Sequence, residues 1–326
     1  MIDVSVIIPT RNRSKLLELS LRSVLWQRNV DIETIVVDDG STDDTPQLLQ
    51  RLGDRIRVVR HERSQGVSEA RNRGIAEARG TWVAFLDDDD LWAAEKLELQ
   101  LEALHRTGRR WAYTGAVEVG PDNTILSGQP PPSPERVVDD ISIRNMLPAG
   151  ASNVIIEKAW LPTPPVFDAR LHHSADWDLW IRLARREPPA CVAKPLVAYR
   201  FHAGSASLDL AGMFSETDEI DRRYGGHVDR SGFNRYLAKF AKRVGWRKKA
   251  LYYYCRAAMM GDPQYPPREF LRDIRMLLSE AFNSRVDRLR IPRSIQPPRS
   301  DPHAAWKEEA GLWIDRLVRP DSRSAA

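Results

Sequence analysis

The stretch WVAFLDDDDLW, residues 82–92, decides the fold. Its first five residues form an unbroken apolar run, which predicts a strand buried on both faces. The four aspartates that follow, Asp87, Asp88, Asp89 and Asp90, then leave the carboxyl end of that strand. Open α/β sheets bind ligands at that edge. Adjacent carboxylates repel one another, by ~1 kcal/mol per pair at 4 Å even in water. A divalent cation turns the repulsion into attraction, and oxygen ligands with room for water and phosphate suit Mg²⁺ or Mn²⁺. The competing reading is a polar turn in which Asp90 caps a helix beginning near Ala94. A cap accounts for one aspartate and leaves three.

Strand and helix patterns alternate around this stretch. Residues 3–9 (DVSVIIP), 32–38 (IETIVVD), 56–60 and 82–86 read as strands, and 15–26, 45–52, 67–78 and 94–106 as helices. That order predicts a mostly parallel, Rossmann-like sheet flanked by helices on both faces. Further strands are predicted at 111–119, 153–157 and 197–202, with an amphipathic helix at 176–186 and an irregular loop at 129–134 (QPPPSP). Beyond it, helices are predicted at 208–224, 233–244, 248–260, 268–282 and 304–318, with a proline-rich linker at 291–302. The expected division is an α/β domain over 1–206 and a basic, mainly helical extension over 207–326.

Composition narrows the class. The 326 residues are 42% hydrophobic and 29% charged, which suits a core-forming soluble chain. No apolar stretch approaches the ~18–20 residues of a membrane span. The chain enters a strand at once, without a basic leader or an apolar signal region, and has two cysteines, Cys191 and Cys255. A reducing, cytoplasmic location is therefore expected. From Phe201 onward there are about 23 Lys and Arg against about 16 Asp and Glu. That excess suits an anionic partner, or else a solvated helical surface.

Three loops follow predicted strands: Pro9 to Arg13 (PTRNR), Asp38 to Asp43 (DDGSTD), and the aspartate run. Each alone reads as a turn; together, in order, they line one crevice. Here the residues carry a resemblance. VSVIIPTRNR, IVVDDGSTDDT, GVSEARNRGI, FLDDDDLW, and SADWDLWIRLA followed by PLVAYRFHAGSAS resemble successive motifs of family 2 glycosyltransferases with the GT-A fold. The resemblance runs from about residue 3 to 207 and implies an inverting transferase that uses a nucleotide-diphosphate sugar and Mn²⁺ or Mg²⁺.

Carried over residue by residue, the resemblance implies a nucleoside pocket lined by Pro9, Thr10 and Arg11. Asp39 is implied as acceptor for the imide N–H of a uracil or thymine base, which favours a UDP- or dTDP-sugar. An ionised carboxylate suits that task because it only accepts. Arg71 is implied in the diphosphate site. Asp87 and Asp89 match the ends of the family's D-x-D, with Asp89 as metal ligand and Asp88 towards the ribose. His202 is implied as a second metal ligand or a donor to the diphosphate. Asp176 is implied as general base; family members often read Glu-Asp here, and this chain reads Ala175-Asp176. The rival reading of Asp176 is a helix cap. Arg200 reads as a neutraliser of leaving-group charge or a partner to a carboxylate, Trp177 and Trp180 as core, with sugar stacking as the alternative, and His172 and His173 as an exposed loop, with an acceptor site as the alternative.

The acceptor implied is a hydroxyl of a glycan, a lipid-linked sugar or another molecule, in cell-surface glycan or polysaccharide synthesis. Basic and aromatic residues mix in 243–254 and 304–318, which permits peripheral contact with an anionic membrane; no nucleic-acid motif is present. Two other functions are open. A sugar nucleotidyltransferase favours a glycine-rich loop after the first strand, and Pro9 to Arg13 has no glycine. A catalytically silent nucleotide-sugar-binding or scaffold protein has no need of Asp39, Asp89 and Asp176 together.

Overall fold

The computed structural model describes residues 2–202, 209–243, 245–261, 265–286 and 303–319. The expected linker at 291–302, and residues 203–207 of the last motif, lie outside the described residues. The chain starts as β1 (Val4–Thr10), α1 (Ser14–Leu25), β2 (Ile32–Asp38), α2 (Thr45–Leu52), β3 (Arg57–Arg60), α3 (Val67–Glu77) and β4 (Trp82–Phe85). A two-residue β5 (Leu91–Trp92) precedes α4 (Lys96–Thr107). Next come β6 (Trp111–Val119), β7 (Ile125–Gln129), α5 (Pro134–Asp140), β8 (Ile155–Glu157), α6 (Ala175–Ala184) and β9 (Ala190–Arg200). Helices α7 (Leu210–Tyr224), α8 (Arg230–Arg243), α9 (Arg247–Met259), α10 (Pro267–Val286) and α11 (Ala304–Val318) follow.

The strands form one sheet in the order β3-β2-β1-β4-β8-β6-β9-β5, with β7 beside β6. β3, β2, β1 and β4 are mutually parallel, as the alternating pattern predicts. The second half is mixed: β8 runs antiparallel to β4 and β6, whereas β9 runs parallel to β6. All seven residues of β1 are buried because strands flank it and helices cover it. Leu17, Leu21 and Val24 turn the apolar stripe of α1 onto the sheet. Gly74 lets α3 close on β1: a Cβ there would lie 2.3 Å from Ile7 Cγ2.

Register sets the site. β1 pairs Thr10 with Asp38 on β2 and Ile7 with Phe85 on β4. Three further residues on each chain bring Thr10 level with Asp88. The first two loops and the aspartate run therefore leave the sheet at one rim.

The chain divides into two compact units. One contains 1–141, 145–220 and α11; the other contains 142–144 and α8 to α10. This differs from the boundary expected at 206/207, because α11 is built into the α/β unit. Trp306 Nε1 donates to Ala116 O at 2.8 Å and Trp313 Nε1 to Pro195 O at 2.9 Å, while Ile314 and Leu317 are buried against Leu91, Val117 and Leu196. In the second unit, buried Leu237, Ala238 and Ala241 of α8 accompany buried Ala250, Tyr254 and Ala257 of α9. Among the described residues no helix is long and apolar enough to cross a membrane.

Trp313→Ala should lower stability by ~3–5 kcal/mol, the cost of emptying a large aromatic site. Urea denaturation measures it; an unchanged midpoint would show that α11 does not hold the sheet.

Candidate active site

The first two loops lock together before any ligand is considered. Asn12 adopts a left-handed backbone (φ 53°), a conformation asparagine tolerates better than most residues. Its side-chain oxygen accepts Thr42 N–H at 2.7 Å, and its own N–H donates to Ser41 Oγ at 2.9 Å. Asp39 N–H donates to Thr10 O at 2.9 Å, which ties the end of β1 to the loop after β2.

Each aspartate of the turn has its own partners. Asp87, the most open, accepts from Arg71 Nη2. Asp88 is buried and accepts from Thr10 Oγ1 at 2.7 Å and Arg13 Nη1 at 2.9 Å. Asp89 meets the same Arg13 nitrogen at 2.9 Å and His202 Nε2 at 2.8 Å. Asp90 is wholly buried and accepts from Ser152 Oγ, and from Arg200 N–H at 3.0 Å. Asp90 therefore caps no helix: β5 intervenes and α4 starts at Lys96. Burial, then the neighbouring Asp89, pushes Asp88 up to about 6. For Asp89, burial is outweighed by the His202 hydrogen bond and the Arg13 charge, which hold it below the usual range. Burial lowers the Arg13 guanidinium's pKa, but Asp88 and Asp89 more than offset this and raise it.

Asp176 opens α6 on the same side of the sheet. One oxygen accepts Trp177 N–H at 2.7 Å. The other packs against Gly150, where a Cβ would lie 2.7 Å from Oδ2. Burial raises Asp176 to about 6, against the Arg71 charge and the Trp177 N–H, while Asp87 pushes it further up. Arg71 thus serves Asp87 by contact and Asp176 through space. Its guanidinium also lies over the Phe167 ring, 5.3 Å from the centroid.

Asp39 is buried and fully engaged. Oδ1 takes His61 Nδ1 and Gln65 N–H, both at 2.8 Å; Oδ2 takes Ser64 Oγ at 2.6 Å and Gly66 N–H at 2.9 Å. Burial pushes its pKa up, but these four donors, Ser64 foremost, hold it below the usual range. A carboxylate has about four acceptor sites. A base N–H would have to displace the Ser64 hydroxyl or the His61 ring, since the two amides are fixed by the chain.

The remaining sequence candidates separate. Pro9 is buried inside β1, and Arg11 is exposed on the loop after it. Arg200 is a backbone clamp: its guanidinium bonds Asp89 O, Leu16 O and Ser20 Oγ. Trp177 and Trp180 are core, with Trp180 stacked 6.3 Å from Trp111. His172 is exposed and His173 half-buried beside Asp209. Sequence reasoning passed over Arg13, Ser152 and His61. Arg13 sits in the quoted PTRNR loop, where the aspartate cluster itself called for a cation. Ser152 and His61 carry no such signal, because only folding brings them to Asp90 and Asp39.

Among the described residues no group of three or more His, Cys, Asp and Glu is gathered to hold a metal ion. Asp89 and His202 still fit a divalent cation in part, offering an oxygen and an imidazole nitrogen that meet at 2.8 Å. That mixed pair suits Mn²⁺ better than Mg²⁺ and leaves positions for phosphate and water.

Comparison with known proteins adds to this geometry. A family model described as "Glycosyl transferase family 2" matches residues 5–144. TuaG of Bacillus subtilis, named as a glycosyltransferase of teichuronic acid biosynthesis, is 34% identical over 186 residues, 56% of this chain and 72% of that one. The Escherichia coli protein WfgD is 27% identical, covering 63% of this chain and 79% of its own; it is named a UDP-Glc:α-D-GlcNAc-diphosphoundecaprenol β-1,3-glucosyltransferase. The succinoglycan biosynthesis protein ExoO of Rhizobium meliloti is 26% identical, covering 97% of this chain and 96% of that one. Among solved structures, residues 1–349 of Staphylococcus aureus TarS with UDP-GlcNAc match with a TM-score of 0.56 at 16% identity, over 92% of this chain and 98% of that one. That likeness shows the shared fold.

Ser152 Oγ donates to Asp90 and accepts Asp87 N–H at 3.0 Å, so Ser152→Ala strips a buried carboxylate and an amide at once. A stability loss of ~1–3 kcal/mol is expected. Urea denaturation measures it; a variant with the wild-type midpoint would show that Ser152 does not brace the turn.

Proposed function

Because the chain belongs to glycosyl transferase family 2, we propose that this glycosyltransferase is inverting and metal-dependent, and that it moves a sugar from a UDP-sugar to a hydroxyl acceptor in cell-surface glycan synthesis. One observation carries the reading: Arg71 bonds Asp87 of the aspartate turn and its charge acts on Asp176, so the Asp176 carboxylate stands beside the candidate diphosphate site. Asp176 takes the acceptor proton as the acceptor oxygen attacks the sugar carbon. Arg71 meets charge that develops on the departing diphosphate, which is stabilisation by a preplaced partner. Asp89 and His202 would hold Mn²⁺ or Mg²⁺, which supplies Lewis-acid stabilisation of the same phosphates.

UDP is preferred to dTDP as the carrier because TarS is solved with UDP-GlcNAc and WfgD is named for UDP-Glc. The name of WfgD also supports a diphospholipid-linked acceptor. A peripheral membrane position fits that acceptor. Lys248, Leu251, Tyr252 and Met259 are exposed along one side of α9, in a unit that also exposes Lys249. Basic residues near an anionic leaflet contribute ~1 kcal/mol each.

Purified protein with UDP-sugars and Mn²⁺ should transfer or hydrolyse sugar, lose activity with chelator and regain it with Mn²⁺. Asp176→Asn should lower kcat by ~10²–10⁴-fold, the usual weight of a general base. Asp176 is raised to about 6, and its base form exists above that pH. The wild-type kcat should therefore climb as pH rises through about 6 and then level. Full activity in Asp176→Asn, or in chelator, would sink the corresponding role.

Flotation on anionic vesicles tests the membrane position. Binding should fall with salt and in the double variant Lys248→Glu, Tyr252→Ala. Equal flotation of variant and wild type would remove α9 from the contact.

A further inference from the structure

Helix α6 carries Asp176 in its first turn, yet its N-cap residue, Ser174, makes no side-chain capping bond. The amides ahead of the helix are taken instead by one carboxylate from α7. His172 N–H donates to Glu216 Oε1 at 2.7 Å, and the N–H groups of His173 and Ser174 donate to Oε2 at 2.8 Å each. Three successive amides converging on an anion form a nest, and the positive end of the helix adds to the attraction. A second contact lies alongside: His173 Nε2 is 3.1 Å from Asp209 Oδ2, and Asp209 Oδ1 accepts Gly212 N–H at 3.0 Å in the first turn of α7.

The chain just upstream is anchored elsewhere. Asn72 bonds the backbone of Phe167 through both its amide atoms, and Ser68 Oγ donates to Leu171 O at 2.9 Å. α3 therefore fixes the segment as far as Leu171, and Glu216 fixes the three residues that remain before α6. Asp176 is two residues beyond the last of them. Glu216 itself is held by the inward face of α7, where Leu210, Thr217 and Ile220 are buried.

We propose that Glu216 is a positioning residue for transfer: by gripping the amides of 172–174 it sets where the Asp176 carboxylate stands relative to the acceptor. This rests on Asp176 being the general base. A displacement of about 1 Å in a reacting group costs on the order of 10²-fold in rate, so the grip matters even though Glu216 acts on Asp176 only through the backbone of 172–174.

Glu216→Ala in the full chain should lower kcat on the order of 10²-fold while donor KM stays at the wild-type value. Glu216→Gln keeps one carbonyl acceptor and should recover part of the loss. Amide hydrogen exchange at 172–174 should quicken in Glu216→Ala and stay unchanged at 167–171. A raised donor KM with kcat intact, or a wild-type kcat, would overturn the inference. So would identical exchange at 172–174, a result readable whether or not transfer is detected. Wild-type protein inactive with every donor would strike the transferase reading instead. If Glu216→Ala does not fold, Glu216→Gln carries the same comparison.

Discussion

Four consecutive carboxylates at the end of β4 are the constraint to which the rest of the site answers. Asp88, Asp89 and Asp90 are nearly or wholly out of water, and burying an ionised carboxylate without partners costs several kcal/mol. The protein meets this with donors drawn from across the chain. Arg13 comes from the first loop, Arg71 from α3, Ser152 from the turn before β8, and Arg200 and His202 from the end of β9. The turn cannot keep its shape unless all of these elements arrive.

This dependence explains how separate loops become one crevice. Thr10 gives its hydroxyl to Asp88 and its carbonyl to Asp39 N–H, which binds the turn to the second loop. Arg71 bonds Asp87 and lies over Phe167, which binds the turn to the segment leading to α6. Removing one donor leaves a buried charge short of a partner, and such losses are larger than the net worth of the bond. The site therefore forms as a network with the sheet and not as a set of independent loops.

The parts legible in the sequence were those with a local signature. β4 is a continuous apolar run and β1 and β2 are mostly apolar, and their carboxyl ends follow from where polarity returns. The helix at 304–318 is visible from its apolar spacing, although nothing local revealed that Trp306 and Trp313 dock on β6 and β9. β5 and β7 escaped notice because two residues are too few for a pattern and ILSGQ has none. α5 escaped because it starts in a proline-rich stretch that reads as a loop, while Pro134 occupies the first turn, where proline is tolerated. The loop carboxylates Asp39, Asp87, Asp89 and Asp176 were legible as a motif set. His61, Ser152 and Glu216, which support them or the backbone beside them, were not, because tertiary contacts alone give them meaning.

Burial raises Asp88, Asp90 and Asp176 near the crevice, and it does not make the last two alike. Asp90 is pushed up by burial and by the charges of Asp89 and Asp87, and has no exposure. Its oxygens are spent on Ser152 and the Arg200 amide, so it can neither reach a substrate nor give up its bonds without loosening Asp87. Asp176 is also raised by burial, but it is partly exposed, and its Oδ2 packs against Gly150. A shifted carboxylate marks strain in the electrostatics of a fold; an oxygen left unbonded and reachable marks a group that can move a proton. Asp90 is thus a brace for the aspartate turn, and Asp176 is the carboxylate proposed above as the base.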